Sequence, residues 1–77
     1  MNLEIKSPEK SLFSGKVDVV HLPGTKGEFT ILPRHAAIIS TLREGKITCR
    51  MGKEEREFEI KSGIAEVKKN VITICVE

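Results

Sequence analysis

Chemically useful side chains are concentrated in one short segment of this 77-residue chain, residues 22–36. The segment contains two glycines, two prolines, one acid and one histidine, namely Pro23, Gly24, Gly27, Glu28, Pro33 and His35. Glycine lets the backbone approach a partner closely, and a carboxylate beside it can pair with a cation. The alternative is a tight turn whose glycines supply positive φ and whose Glu28 and His35 are merely exposed. This segment is the first candidate for a binding surface.

The remaining reactive residues form no catalytic or metal-binding pattern. The histidines and cysteines occur singly, at His21, His35, Cys49 and Cys75, whereas a metal site needs ligands at short, regular spacing. No serine lies in a Gly-x-Ser-x-Gly elbow, and neither residues 15–17 nor residues 24–27 continue into a phosphate-binding loop. We therefore expect no catalysis by this chain alone, no cofactor and no metal ion.

Length and charge narrow the class of protein. The 13 Lys and Arg residues against 11 Asp and Glu give a net charge of +2, too small to indicate binding to nucleic acid or to a membrane surface. A chain of this length forms one domain and buries only ~60% of its unfolded surface, so partner contacts matter for its stability. No apolar run reaches the ~18 residues of a membrane span and no leader pattern is present, which predicts a cytosolic protein.

The cysteines and the aromatic residues are expected in the core. Cys49 and Cys75 could form a disulfide, but both lie in apolar runs of a chain without an export signal, so we predict buried reduced thiols. Trp and Tyr are absent, and the three phenylalanines are far apart in sequence rather than grouped as a platform for stacking bases. We predict core positions for Phe13, Phe29 and Phe58.

The elements that must position these residues are strands. Ile and Val supply 9 and 6 of the 30 apolar residues, and β-branched side chains pack well on a pleated sheet. Turn-forming residues recur at close to the ~8 to 12 residue spacing that is typical of sandwiches and barrels. We predict an all-β fold, an antiparallel sandwich or barrel of short strands, as one unit over residues 1–77.

Alternation of apolar residues predicts which side chains face the core. The alternating sets are Leu3/Ile5, Val17/Val19, Ile47/Cys49/Met51, Phe58/Ile60, Ala65/Val67 and Ile72/Ile74/Val76. Residues 46–60 are predicted to form a hairpin with a charged tip at residues 51–55. Asn70 is predicted to close another hairpin, because asparagine tolerates the left-handed conformation. Residues 34–42 fit a helical face as well as alternation, so periodicity leaves that stretch open.

Residues 22–38 resemble the signature of one family, the epsilon subunit of the F-type rotary ATP synthase. The family pattern runs approximately Leu-Pro-Gly-x-x-Gly-Glu-x-Gly-Ile-Leu-Pro-Gly-His-Ala-Pro-Leu. Here the chain reads Leu-Pro-Gly-Thr-Lys-Gly-Glu-Phe-Thr-Ile-Leu-Pro-Arg-His-Ala-Ala-Ile. The resemblance continues through residues 7–17, 42–47, 62–67 and 70–74, which look like the family's other strands and hairpins, so it covers essentially the whole chain.

The resemblance implies a fold, a function and a location. The fold would be a flattened β-sandwich, with residues 36–42 as a strand. The function would be that of a non-catalytic central-stalk subunit, which grips the gamma subunit, rests on the membrane-embedded c ring and transmits rotation for ATP synthesis driven by proton flow. Its place would be the cytoplasmic face of the inner (plasma) membrane, reached only through the complex.

Residues are assigned to the two implied partners, those for the gamma subunit from the resemblance and those for the c ring as a hypothesis. The residues expected to face the c ring are Gly24, Lys26, Gly27, Glu28 and Phe29. Glu28 is interpreted as a lone acid that pairs with a basic group of the ring. The residues expected to face the gamma subunit are Ser7, Leu32, His35, Ala36 and Ser40. The small ones suit close packing, while His35 is equally well explained as a satisfied structural histidine. His21 receives no role.

The chain departs from the family pattern at several positions and in its length. Thr30 and Arg34 stand where the pattern has glycine, and Ala37 stands where it has proline. Arg34 requires a turn that needs no positive φ or that tolerates strain, and it adds charge at the proposed docking end. Most family members continue into a two-helix C-terminal domain. This chain stops at Glu77, so we assign it neither inhibition of ATP hydrolysis nor ATP binding.

Two alternatives of other classes are open. A free-standing nucleic-acid-binding barrel predicts steeply salt-dependent binding to single strands and would use the basic residues Lys6, Lys10, Lys16, Lys26 and Arg34. The alternation of basic and acidic residues along the chain argues against it. An adaptor for an unrelated assembly would differ from the favoured function only in its partner.

Overall fold

The computed structural model describes all 77 residues and consists of strands and turns. The strands are β1 (Asn2–Lys6), β2 (Ser11–Lys16), β3 (Val19–Gly24), β4 (Gly27–Ile31), β5 (Ile38–Leu42), β6 (Gly45–Met51), β7 (Glu54–Ile60), β8 (Gly63–Lys68) and β9 (Val71–Val76). The predicted all-β fold is confirmed. None of these elements is a helix that could span a lipid bilayer.

All nine strands join one sheet in the order β2-β1-β9-β8-β5-β3-β6-β7, with β4 paired to β3. Neighbouring strands are antiparallel except β1 and β9, which run parallel. This pair joins the first and last strands of the chain, and periodicity carries no information about such a long-range pairing. The sheet curls so that its two halves, β2-β1-β9-β8-β5 and β4-β3-β6-β7, enclose a single core.

The core contains 15 buried apolar residues, contributed by every strand except β2 and by Val17. Alternation predicts most of them correctly, because a strand with one buried face has a period of two. The exception is the set formed by Val17 and Val19. Val17 is buried, but Val19 is half-buried and the buried residues of β3 are Val20 and Leu22. The phase is reset at Asp18, whose N–H donates to a carbonyl of β6 at 2.8 Å.

Two tight turns carry the positive φ angles that hairpins need. Lys69 and Asn70 join β8 to β9 with φ of 49° and 66°, so the left-handed conformation predicted for Asn70 is confirmed. The β6–β7 hairpin also forms, but its tip contains only Gly52 and Lys53 instead of residues 51–55. Gly52 has a φ of 62°, which suits a two-residue hairpin turn.

Of the stretch that periodicity left open, residues 34–42, the part Ile38–Leu42 forms strand β5. It pairs with β8 along its whole length, and these long-range hydrogen bonds decide against the helix. Ala36 and Ala37, which the family resemblance places in this strand, precede it. Arg34 has a φ of 68°. The turn before β5 therefore does require the positive φ for which glycine is the favoured residue.

The phenylalanines lie at the rim of the core and not inside it. Phe13, Phe29 and Phe58 are half-buried and pack against the buried cluster. Phe13 and Phe58 meet edge to face with their ring centroids 5.8 Å apart. Because these two residues belong to β2 and β7, their contact joins the two free edges at the ends of the strand order.

The two cysteines differ in exposure, and neither is in a disulfide. Cys49 is buried, and its burial raises the pKa of its thiol above the ordinary value. Cys75 is exposed, so the prediction of two buried thiols is wrong for this residue. In an alternating strand, Cys75 lies between the inward-facing Ile74 and Val76 and must point outward.

Candidate functional site

The segment singled out by the sequence is a β-hairpin. Strands β3 and β4 are joined by a two-residue tip, Thr25 and Lys26, flanked by the pair Gly24 and Gly27. A Cβ atom on Gly24 would lie 2.7 Å from the carbonyl oxygen of Gly27 and 2.8 Å from the ring of Phe29. Gly27 has a φ of 130°, a conformation that other residues avoid. Turn geometry alone therefore explains both glycines.

This hairpin, residues 24–29, is fixed to the neighbouring strand β5. The N–H of Thr25 donates to the carbonyl oxygen of Thr41 at 3.0 Å, and the two threonine hydroxyls hydrogen-bond at 2.8 Å. On the same side, the N–H of Arg43, just after β5, donates to the carbonyl oxygen of Pro23 at 2.9 Å. These bonds flank the register pair Gly24 and Leu42, so the base of the hairpin is tied to β5.

Glu28 is not the lone acid that the sequence suggests. Its Oε1 lies 3.0 Å from Nε2 of His21, and Nδ1 of His21 lies 3.0 Å from Oγ1 of Thr30. The side chains of His21 and Glu28 are 41% and 60% exposed, so water still reaches both. Sequence reasoning gave His21 no role. The strand register decides this pairing, because it places His21 directly opposite Thr30 on the outward face.

The residues predicted to face the gamma subunit do not form one patch. Leu32, His35 and Ala36 belong to the turn before β5, in which the N–H of His35 donates to the carbonyl of Leu32 at 3.1 Å and its Nδ1 lies 2.8 Å from the carbonyl oxygen of Ala36. Ser7 lies in the β1–β2 turn, where its hydroxyl accepts a backbone N–H at 3.3 Å. Ser40 is half-buried in the middle of β5.

These residues are divided between two ends of the sheet. Ser7 and Thr41 line the same surface depression, so Ser7 lies at the hairpin end. The N–H of Arg34 instead donates to Oδ1 of Asn70, at 3.0 Å, in the β8–β9 turn beside the start of β5. Residues 32–37 therefore lie at the end opposite to the hairpin. If the hairpin is the docking end, the expectation that Arg34 adds charge there is wrong.

Between the two ends, the outer face of the sheet carries an exposed apolar strip, formed by Ile39, Ile64 and Cys75. Ile39 is 74% exposed and Ile64 is 52% exposed. Ile64 lies opposite Cys75 on β9, and Ile39 is its diagonal neighbour on β5. Sequence reasoning missed this strip because it followed only the inward-facing positions. The available signal was the presence of apolar residues at the outward positions of the same strands.

A groove of about 540 Å³ connects the hairpin to the apolar strip. It is lined by all five residues expected to face the c ring and, from β5, by Ile39, Ser40 and Thr41. The structure thus brings together the whole first set and one member, Ser40, of the second. No group of three or more His, Cys, Asp or Glu side chains lies close enough to hold a metal ion. The arrangement can bind a partner through shape, charge and apolar contact.

Comparison with protein families and relatives covers the full chain. Residues 1–77 match the family described as ATP synthase, Delta/Epsilon chain, beta-sandwich domain. The ATP synthase epsilon chain of Caulobacter vibrioides is 42% identical over 77 residues, which are 100% of this chain and 90% of that relative. The epsilon chains of Leptospira borgpetersenii and Hydrogenovibrio crunogenus are 38% and 42% identical over the whole chain, which spans 61% and 54% of their lengths.

Solved structures share the architecture. A chain in the central stalk and c-ring structure of the Tetrahymena thermophila mitochondrial ATP synthase matches with a TM-score of 0.81 at 18% identity, over 97% of this chain and 61% of that chain. A chain of the Euglena gracilis mitochondrial ATP synthase, in its OSCP/F1/c-ring structure, gives 0.90 at 19% identity, over 96% and 48%. These two likenesses establish the fold. Together with the full-length family match and the 42% identical relative, they mean that this chain belongs to the family of the β-sandwich domain of the ATP synthase delta/epsilon chain.

Proposed function

We propose that this chain is an epsilon subunit of the central stalk of a proton-translocating ATP synthase, where it joins the gamma subunit to the c ring and transmits rotation. The names of its relatives support this assignment. The observation that carries it is the presence of two adjoining exposed surfaces, the hairpin and the apolar strip, on one hydrogen-bonded sheet. A part that passes force between two partners needs both surfaces and a stiff connection. Residues 1–77 act as one such domain, without catalytic chemistry of their own.

The hairpin is the proposed surface for the c ring. Lys26 and Glu28 present charges of both signs at an exposed tip, which suits the polar loops of a membrane-embedded ring. Gly24 and Gly27 have no side chains to hold a partner away. Glu28 uses Oε1 for His21, and its Oε2 makes no hydrogen bond within the chain. That second oxygen is available to a basic group of the ring.

The apolar strip is the proposed surface for the gamma subunit. Covering the exposed parts of Ile39 and Ile64 contributes about 2–4 kcal/mol on association, on the scale of ~25 cal/mol per Å² of apolar surface. Two of the residues that the family resemblance assigns to gamma flank this strip, Ser7 at one end and Ala36 at the other, and their small side chains permit a close approach. Ser40 is the register partner of the buried Ala65 and lies on the inner face of β5.

The connection between the two surfaces is short and stiff. Of the 46 backbone hydrogen bonds in the chain, 38 belong to the ladders between strands, and shearing a strand pair requires several to break together. The hairpin is bonded to Thr41, which is two residues along β5 from Ile39. Force applied at the hairpin tip therefore reaches the apolar strip through one strand. Contact with the ring would place the protein at the cytoplasmic face of the membrane, as a peripheral component of the complex.

The test is binding of the whole chain to the gamma subunit and, separately, to the detergent-solubilised c ring of the same source. Glu28→Gln is expected to weaken binding to the ring and leave binding to gamma unchanged, whereas Ile39→Ser does the reverse. Glu59→Gln removes an exposed carboxylate from β7 and serves as the control that affects neither partner. Folded wild-type protein that binds neither partner would overturn the proposal in favour of an adaptor role. Salt-dependent capture of single-stranded DNA in the same assay would favour the nucleic-acid-binding alternative.

A further inference from the structure

Three cations project from one corner of the molecule without acidic partners. Arg34 lies in the turn before β5, and Lys68 and Lys69 lie at the β8–β9 turn. All three are exposed, and none takes part in the ion pairs of this chain, which are Lys6–Glu4, His21–Glu28 and Lys46–Glu57. We call these three residues the basic corner.

The two turns that form the basic corner are tied together by Asn70. Its Oδ1 accepts a hydrogen bond of 3.0 Å from the N–H of Arg34. Its carbonyl oxygen accepts another, also of 3.0 Å, from the N–H of Asn2 in β1. Because one residue fixes both the turn before β5 and the start of β1, the backbone of the corner is ordered before any partner arrives. Such preorganisation reduces the entropy lost on binding.

The corner is also strained. Arg34, Lys69 and Asn70 have φ of 68°, 49° and 66°, a region that glycine enters freely and that other residues enter at a cost. The family pattern has glycine at the position of Arg34. Glycine would be the less strained choice here, so backbone geometry does not explain the arginine at this position. The property that arginine adds is a guanidinium group with five N–H donors in a planar fork.

Two acids on neighbouring elements do not neutralise the corner. Glu66 lies two residues before Lys68 on the same outward face, and it pairs in register with Ile39 and Thr73 and forms no ion pair. Asp18, from the turn that precedes β3, directs Oδ2 to the N–H of Gly52 at 2.8 Å. The three cations therefore face solvent with their donors free.

We propose that the basic corner binds a carboxylate-rich segment of a partner protein. One step of this inference rests on the proposed function, namely the choice of a protein partner over a lipid. The corner and the hairpin lie at opposite ends of β5, about 14 Å apart along a five-residue strand. If the hairpin faces the membrane ring, the corner is removed from the lipid headgroups by more than the ~8 Å Debye length at physiological salt. A planar arginine fork flanked by lysines suits the paired oxygens of glutamate and aspartate.

The test is titration of the whole ¹⁵N-labelled chain with an end-capped octaglutamate peptide, followed by amide chemical shifts. We expect the largest changes at residues 34 and 68–70 and affinity that falls as salt is raised. Arg34→Gln should weaken binding about two- to fivefold, the range of one exposed ion pair. Lys61→Gln, which removes one cation at the hairpin end, is the matched control and should leave the affinity unchanged.

Arg34→Gly keeps the test independent of folding. Glycine removes the cation and also relieves the positive φ, so this variant should melt at a temperature equal to or above that of the wild type while binding the peptide as weakly as Arg34→Gln. If Arg34→Gln and Lys61→Gln weaken peptide binding equally, the inference is overturned, because the peptide would then be attracted by the overall charge and not by the basic corner.

Two further comparisons are needed. One distinguishes a protein partner from a lipid, and the other keeps this inference distinguishable from the proposed function. Binding to phosphatidylglycerol-containing vesicles through residue 34, without binding to the peptide, would overturn the protein partner in favour of a lipid. The peptide assay contains neither the gamma subunit nor the c ring. If Arg34→Gln fails to weaken peptide binding, the expected effect of Glu28→Gln on ring binding is therefore not affected. Failure of ring binding likewise leaves a positive peptide titration in place.

Discussion

The hairpin and the apolar strip lie side by side but are explained in different ways. In the hairpin, Glu28 is hydrogen-bonded to His21, and the tip is hydrogen-bonded to Thr41. At position 24, glycine is the only residue type that fits. In the apolar strip, Ile39 and Ile64 are exposed, with no contact in the chain that requires an isoleucine. A conspicuous motif therefore marks a place where the chain's own geometry is demanding. An outward-facing isoleucine is not required by packing within the chain, so it marks a candidate partner surface.

The largest expected contrast is between the thiols of the two regions. Cys49 is buried beneath the hairpin's sheet, opposite Val20, whereas Cys75 belongs to the apolar strip. Cys75 should react with Ellman's reagent as an exposed thiol. Cys49 should react about a thousandfold more slowly or slower still, because it must wait for unfolding. The measurement is the time course of labelling at pH 8, with Cys75→Ser as the control that retains only the slow phase. Two fast phases would mean that the sheet beneath the hairpin opens readily.

The buried thiol of Cys49 is expected to make the stability of the fold depend on pH. Burial raises the pKa of Cys49 in the folded state, so above pH ~8.5 the thiol ionises first in the unfolded chain. Its contribution to the free energy of unfolding is therefore complete below that pH and is lost as the pH rises further. Urea titrations at several pH values check this. Cys49→Ala should be less stable throughout, but with a shallower decline at alkaline pH.

Gly24 separates backbone geometry from partner binding within the hairpin. Gly24→Ala places a Cβ against the carbonyl oxygen of Gly27 and should lower the free energy of unfolding by about 1–3 kcal/mol. Gly15→Ala is the control, because its Cβ would meet only the ring of Phe13 at an ordinary 3.5 Å. The comparison is made from urea unfolding midpoints. Equal losses in both variants would remove the special requirement for glycine at position 24.

The strand content and most of the core were predictable because burial of one sheet face leaves a period of two in the sequence. Alternation could not reveal that β1 runs parallel to β9, nor that the phase changes at Asp18, since both depend on distant backbone pairing. Cys75 was predictable in principle. Its neighbours on either side were assigned to the core, which leaves the outward face for Cys75 itself.

The candidate site was predictable only where it is local in sequence. The hairpin set is contiguous, so residues chosen together along the chain also lie together in space. The gamma set is not contiguous, and the distance between Ser7 and His35 is decided by the order β1-β9-β8-β5, which no local pattern encodes. The pairing of His21 with Glu28 depends likewise on the register of β3 and β4.

The hydrogen bond between the hydroxyls of Thr25 and Thr41 tests how firmly the hairpin is tied to β5. Thr25→Val and Thr41→Val each remove the hydroxyl pair and should each lower the free energy of unfolding by about 0.5–1.5 kcal/mol. The double variant should lose no more than either single one, because one hydrogen bond is involved. Thr73→Val, at an outward position of β9, is the control. Additive losses would show that the two hydroxyls act independently.

His21 could either orient the carboxylate of Glu28 for the c ring or compete with the ring for it, and His21→Ala distinguishes the two. His21→Ala should lower stability by about 0.2–1 kcal/mol at most, since the pair with Glu28 is exposed and screened by water. Removal of the imidazole also frees Oε1 of Glu28, so binding to the c ring should stay constant or strengthen. Weaker ring binding, similar to that of Glu28→Gln, would mean that His21 orients the carboxylate for its partner. Thr30→Val, which removes only the outer hydroxyl contact, is the control for loss of hydrogen bonding near His21.

The smallest expected effect on stability is at the apolar strip, and it is the most informative about function. Ile39→Ser and Ile64→Ser should each change the free energy of unfolding by no more than about 0.5 kcal/mol, because these side chains are already in water. Ile72→Ser, at a fully buried position, is the control and should be severely destabilising. If the surface variants unfold as the wild type does yet bind gamma at least tenfold more weakly, the isoleucines are retained for a partner. A loss of stability comparable to that of Ile72→Ser would instead make them part of the core, and the distinction between the two regions would disappear.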